Sequence, residues 1–105
     1  MKAVKVQITR YISDDPQPGI VECKLIDAWN REWTFVEKTA IVTSQFLDEN
    51  SVYPQPGTIG CEVIEIWQDN NGRKIVTVNT ANPDYVTDEM GESHFQVLPT
   101  QIADE

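Results

Sequence analysis

Two carboxylates each stand two residues before a tryptophan: Asp27 before Trp29, in IDAW, and Glu65 before Trp67, in IEIW. Paired carboxylates perform acid and base work, and indole rings stack on sugar faces. A fold that brought all four residues to one end would create a small-molecule or carbohydrate site, or a minor hydrolase. His94, the only histidine, is the one further side chain that exchanges protons near neutral pH. Asp27, Glu65 and His94 are therefore the catalytic candidates, each weak, because solvated carboxylates at strand ends are the commoner explanation. Cys23 and Cys61 are the only thiols. A nucleophilic cysteine needs a neighbouring base and access to solvent, and no spacing places His94 beside either. Both cysteines alternate with apolar residues, so they read as core thiols. A disulfide between them requires a Cα separation below about 7 Å.

Metal chemistry finds little support. Asp69–Asn70–Asn71–Gly72 resembles the start of a calcium loop but lacks the further carboxylates and closing glutamate. Its Asn-Gly pair reads instead as a hairpin turn. Two cysteines and one distant histidine do not make a zinc site. There is no glycine-rich phosphate loop and no Ser-His-Asp pattern. No metal or cofactor is expected. The aromatic residues Trp29, Trp67 and Tyr85, with the acids Asp84, Asp88 and Glu89 of the 82–92 segment, are the candidate binding residues, since exposed aromatics dominate interface energetics.

The elements that must hold these residues are strands. Val4, Val6 and Ile8 alternate with Lys5, Gln7 and Thr9, the period-two pattern of a half-buried strand. Val21, Cys23 and Leu25 repeat it. Ile26 breaks the phase, and a bulge near 25–27 is expected to keep Asp27 out of the core. Trp29–Asn30–Arg31 reads as a tight turn, with EWTFVEK returning as the partner strand. TAIVT continues extended, and a short helical turn is expected near 44–48. Ile59, Cys61 and Val63 form another strand, DNNG turns it, and RKIVTVN returns. The polar segment ANPDYVTDEMGE reads as a loop, and HFQVL as a last strand ending at Pro99.

One phrase is written twice. PQPGIVECKLIDAW starts at Pro16 and PQPGTIGCEVIEIW at Pro54. The two share their Pro, Gln, Gly, Cys, Ile and Trp positions in one register. The repeated unit is read as strand, loop, PQPG, strand, turn, strand, covering about 3–38 and about 39–80, followed by a C-terminal loop and strand at 81–99. Each half offers one apolar face, and two such meanders bury it by packing together. The chain is thus expected to be one all-β domain over 1–105, a six- to seven-stranded β-barrel or tight sandwich. In PQPG, proline sets φ and glycine supplies a positive φ. At 105 residues one core is feasible without a metal or disulfides.

Charge narrows the function. Eight Lys and Arg against 17 Asp and Glu give a net charge of −9. Every basic residue lies at or before Lys74, whereas six acids follow it. Such a surface repels nucleic acid and anionic membrane. No apolar run of about 18 residues offers a transmembrane span, and the first ten residues lack the apolar core of a signal peptide. A cytoplasmic protein with free thiols is expected. Small size, acidity and the lack of a catalytic constellation suggest a non-catalytic protein-interaction module, of inhibitor or immunity type, for a basic partner. An exposed Val4–Ile8 or His94–Leu98 strand could also pair with a copy of itself, which leaves monomer and homodimer equally open.

Overall fold

Period-two alternation folds half of the chain into strands, as a computed structural model describing residues 1–105 shows, and strands make up almost all of its regular structure. The strands are β1 (Lys2–Ser13), β2 (Ile20–Ile26), β3 (Glu32–Lys38), β4 (Gln55–Gln68), β5 (Lys74–Asn79), β6 (His94–Val97) and β7 (Ile102–Asp104). One helical turn, α1 (Thr39–Val42), follows β3, and a 3-10 turn (Pro99–Gln101) precedes β7. The sheet runs β3-β2-β1-β4-β5-β6, antiparallel at each of these pairings, with β7 added to β1. It curls into a half-barrel around a single apolar cluster.

Two long strands carry the curl. The first half of β4, Gln55–Cys61, pairs with β1, and the second half, Glu62–Gln68, pairs with β5. A bulge between Val63 and Glu65 marks the change, since a bulge bends a strand and increases its twist. Inside, Val4, Val6 and Ile8 of β1 meet Val21, Cys23 and Leu25 of β2, Phe35 of β3, Ile59 and Cys61 of β4, Val76 and Val78 of β5, and Phe95 and Val97 of β6. Phe95 stands edge-on to both Phe35 and Trp33, with ring centroids 5.4 and 5.2 Å apart, a favoured aromatic geometry. Both cysteines are free and buried in this cluster.

The edges do not pair with each other. Instead the β2–β3 turn reaches the β6 edge, where the Ala28 N–H donates to the Gln96 carbonyl (2.8 Å). The loop after β5 reaches the β3 edge, where the Glu89 N–H donates to the Thr34 carbonyl (2.8 Å). This loop, residues 80–93, stoppers one end of the half-barrel. Val86 enters the core, Thr80 is buried, and its hydroxyl donates to the Val86 carbonyl (2.7 Å).

Several expectations need correction. The helical turn lies at 39–42, not 44–48. The Thr39 N–H donates to the Gly19 carbonyl (2.9 Å), so the chain swings out of β3 against the first PQPG turn, and the Thr43 N–H closes one helical turn on Thr39. Ala40–Val42 is therefore no strand. Residues 44–48 lead instead into a turn held by Asp48, whose Oδ1 accepts the Asn50 N–H (2.9 Å). The two PQPG stretches adopt different forms. Gly19 takes φ +129° in a turn closed on Pro16, whereas Gly57 lies within β4 opposite Val6. The chain does not end its strands at Pro99, because β7 pairs with Lys2–Val4. The Val4–Ile8 strand is no exposed edge, since β4 flanks it on one side and β2 and β7 on the other.

Candidate functional site

Three polar turns of the half-barrel start with aspartate and fold the same way. In Asp27–Arg31, Asp69–Arg73 and Asp88–Glu92 the Asp Oδ1 accepts the N–H groups two and four residues on, at 2.7–3.0 Å. The Asp N–H donates to the fifth residue's carbonyl (2.8–2.9 Å). The fourth residue is left-handed: Asn30 at φ 61°, Gly72 at 81°, Gly91 at 90°. Asparagine and glycine tolerate that region, and this three-residue connection suits antiparallel neighbours. In the first two turns the fifth residue is arginine, and its Nε donates to the Asp Oδ2 at 3.0 Å.

Asp27 is the inward member of this set. Its side chain has no solvent exposure, and β2 and β3 pair without a bulge through Ile26 and Glu32. The alternation simply continues, so Asp27 follows Leu25 inward. Its two oxygens accept four donors: the backbone N–H groups of Trp29 and Arg31, the Arg31 Nε, and the Trp33 indole (2.9 Å). Burial pushes the carboxyl pKa up, but the Trp33 indole, the two backbone N–H groups and the guanidinium together hold it below the ordinary carboxylate value. A carboxylate so occupied organises a turn and has no lone pair in reach of a substrate. Asp69 is held low chiefly by the Arg73 backbone N–H, against a smaller burial penalty.

The structure buries one carboxylate candidate, exposes the other and brings the tryptophans together. Glu65 is exposed on β4 opposite Thr77 and shares no hydrogen bond or ion pair with Asp27. The Trp29 and Trp67 rings lie 6.4 Å apart, tilted by 35°. The Arg73 guanidinium lies 5.0 Å from the Trp29 ring centre, and that of Arg31 lies 5.6 Å from Trp33. The Trp29 indole donates to Gln96 Oε1 (2.7 Å), and the Trp67 indole to Thr77 Oγ1 (3.1 Å). Beneath Trp67, its ladder partner Ile75 is fully buried yet lies outside the main core cluster. The outer face of β4–β6 thus has its own small apolar layer, roofed by tryptophan.

Beside this layer, between β3 and β6, runs a groove of about 340 Å³ lined by Arg31, Trp33, Thr77, Glu92, His94, Phe95 and Gln96. His94 is exposed there, with Ser93 Oγ 3.3 Å from its Nδ1. A larger hollow of about 560 Å³ lies between β1, α1 and the start of β4. It contains none of the tryptophans, so it is the less promising site.

The loop candidates divide. Tyr85 is 87% exposed at φ 59°, and Asp84 and Glu89 are exposed. Asp88 is buried, because its Oδ1 holds the third turn together. It is a turn-former and cannot present its charge to a partner. Arg31, Arg73, Thr77 and Gln96 are site residues that the sequence reading missed. The signal for the two arginines was present: aspartate, then asparagine or glycine three residues on, then arginine.

No protein-family model matches the chain, and no curated protein and no solved structure is detectably similar to it.

Proposed function

We propose that the chain is a non-catalytic, acidic protein-interaction module whose contact surface is the outer face around Trp29, Trp67 and Arg73. The observation that carries this reading is the Trp29–Trp67 pair with Arg73 on Trp29, Trp29 and Arg73 each standing on a turn closed by aspartate hydrogen bonds. Tryptophan and arginine dominate interface hot spots, and groups already held in place lose little freedom on binding. The net charge of −9 favours a partner with a basic surface, as an inhibitor or immunity-type protein would have. Free thiols fit a reducing compartment, and the cytoplasm is the compartment proposed. No helix is long and apolar enough to cross a membrane.

Affinity capture with the immobilised full chain tests this reading. A specific protein should be retained by the wild type, lost with the Trp29→Ala/Arg73→Ala double variant, and kept by Tyr85→Ala. Retention of no specific protein, or retention indifferent to the double variant, would refute it.

A further inference from the structure

We propose that the groove between β3 and β6 binds a carboxylate group, and that this contact anchors the partner of the module proposed above, on which reading it rests. Three side chains of the groove keep hydrogen-bonding capacity that no protein group uses. An indole N–H only donates. Trp29 therefore claims Gln96 Oε1 and fixes the amide, leaving the Nε2 donors without a protein acceptor. Trp67 claims Thr77 Oγ1 in the same way, leaving the hydroxyl hydrogen to donate outward. Arg31 has its Nε on the buried Asp27, and both terminal amino groups lack a protein partner. All three residues line one groove, with Trp33 as a wall.

What remains for a ligand is thus a set of donors around a guanidinium, which suits a planar anion bound through paired N–H groups. The opposing charge is weakened. Glu92 also lines the groove, but its Oε2 already accepts the Ser93 and His94 N–H groups at 3.1 Å each. A chain of net charge −9 repels phosphates and nucleic acid at a distance, so the ligand is a single carboxylate on a neutral or basic chain. Its source is either a chain terminus or an acidic side chain, and the two share this chemistry.

The indole N–H signals of the three tryptophans in the isotopically labelled full chain give the readout. Three peptide probes are titrated at low salt: acetyl-Gly-Ala-Ala as the free acid, the same peptide as its carboxamide, and acetyl-Gly-Asp-Gly carboxamide. Saturable shifts of the Trp29 and Trp33 signals are expected with a carboxylate-bearing probe and not with the acetyl-Gly-Ala-Ala carboxamide. Binding of the free acid alone assigns a chain terminus, and binding of the aspartyl peptide alone assigns a side chain. Gln96→Glu keeps an oxygen for Trp29 but replaces the donors with charge, and Arg31→Gln removes the cation. Each should weaken binding at least about tenfold. No saturable shift, equal shifts with the carboxamide control, or unchanged affinity in both variants would overturn the inference. A captured partner that depends on Trp29 and Arg73, with no carboxylate binding, would sink the groove and leave the module standing. Carboxylate binding without such a partner would do the reverse.

Discussion

Arg73 lies over Trp29, its guanidinium carbon 5.0 Å from the ring centre, and so fastens the β4–β5 turn to the β2–β3 turn across the outer face. The two residues are forty-four positions apart, and each is held by its own aspartate-centred turn. The contact is partly exposed, where a cation over an aromatic ring contributes about 0.5–1 kcal/mol. A double-mutant cycle of Trp29→Ala and Arg73→Ala in urea unfolding should give a coupling energy of that size. A coupling indistinguishable from zero would show that the stack does not join the two turns energetically.

Asp27 should be among the most sensitive polar positions. Asp27→Ala leaves the Trp33 indole and two backbone N–H groups without acceptors, and unmade hydrogen bonds of this kind cost about 1–3 kcal/mol. Asp27→Asn is little better. It places an amide N–H₂ against the Trp33 and Arg31 donors that now share Oδ2. Both variants should lose about 2–3 kcal/mol in denaturant melts. Asp69→Ala, in a more exposed turn, should lose clearly less.

The same carboxylate gives the acid limb of stability its sign. The folded-state pKa of Asp27 is depressed, so the unfolded chain takes up the proton first as pH falls. Its contribution is complete above the ordinary carboxylate range. It is lost as pH drops below about 4 and through the lowered folded value. Asp69 and Glu22 shift in the same direction. Melting temperature measured from neutral pH to about pH 2.5 should fall in that window, and Asp27→Asn should flatten the fall.

The two thiols should be inert in the folded protein. Burial raises the Cys23 pKa to about 12, helped by the charges of Glu37 and Glu22, and burial alone raises that of Cys61 to about 11. A thiol reagent near pH 8 should find neither in native conditions and both in guanidinium, because only the thiolate reacts. Rapid labelling of one thiol in the folded state would contradict its burial.

The two PQPG glycines should respond differently to alanine. At Gly19 a Cβ would strike the Tyr11 ring, and φ is +129°. Steric and conformational strain add there, at about 1–3 kcal/mol. At Gly57 φ is ordinary for a strand, and a Cβ would meet Ile8 Cδ1 and Cγ1 at 2.9 Å and the Val42 carbonyl at 3.1 Å. The penalty is overpacking alone, also about 1–3 kcal/mol. Compensation separates the two: Ile8→Ala, which removes both Cδ1 and Cγ1, should lower the added cost of Gly57→Ala and leave that of Gly19→Ala unchanged.

The strands and both hairpins were readable because alternation states which face is buried. Val4, Val6, Ile8, Val21, Cys23 and Leu25 all enter the core as their period requires. Asp27 was misread because charge was weighed against phase. An acid in an apolar register suggested a bulge, whereas the local donors of Trp29, Arg31 and Trp33 satisfy it in place. The repeated phrase aligned Asp27 with Glu65, but the turn equivalent to Asp27 begins at Asp69, because β4 runs longer and bulges before its turn. α1 was missed because Thr, Ile and Val favour strands, and only the contact of Thr39 with Gly19 bends them away. The groove could not be foreseen, because Arg31, Thr77 and Gln96 meet only through the closure of β6 against the first turn.

The stopper formed by residues 80–93 has a consequence for how the protein fails. Two large apolar side chains stand out from it, Tyr85 and Met90, 87% and 85% exposed. A protease cut between them would release the Glu89 latch on Thr34 and leave β3 with a bare hydrogen-bonding margin, the kind on which chains polymerise.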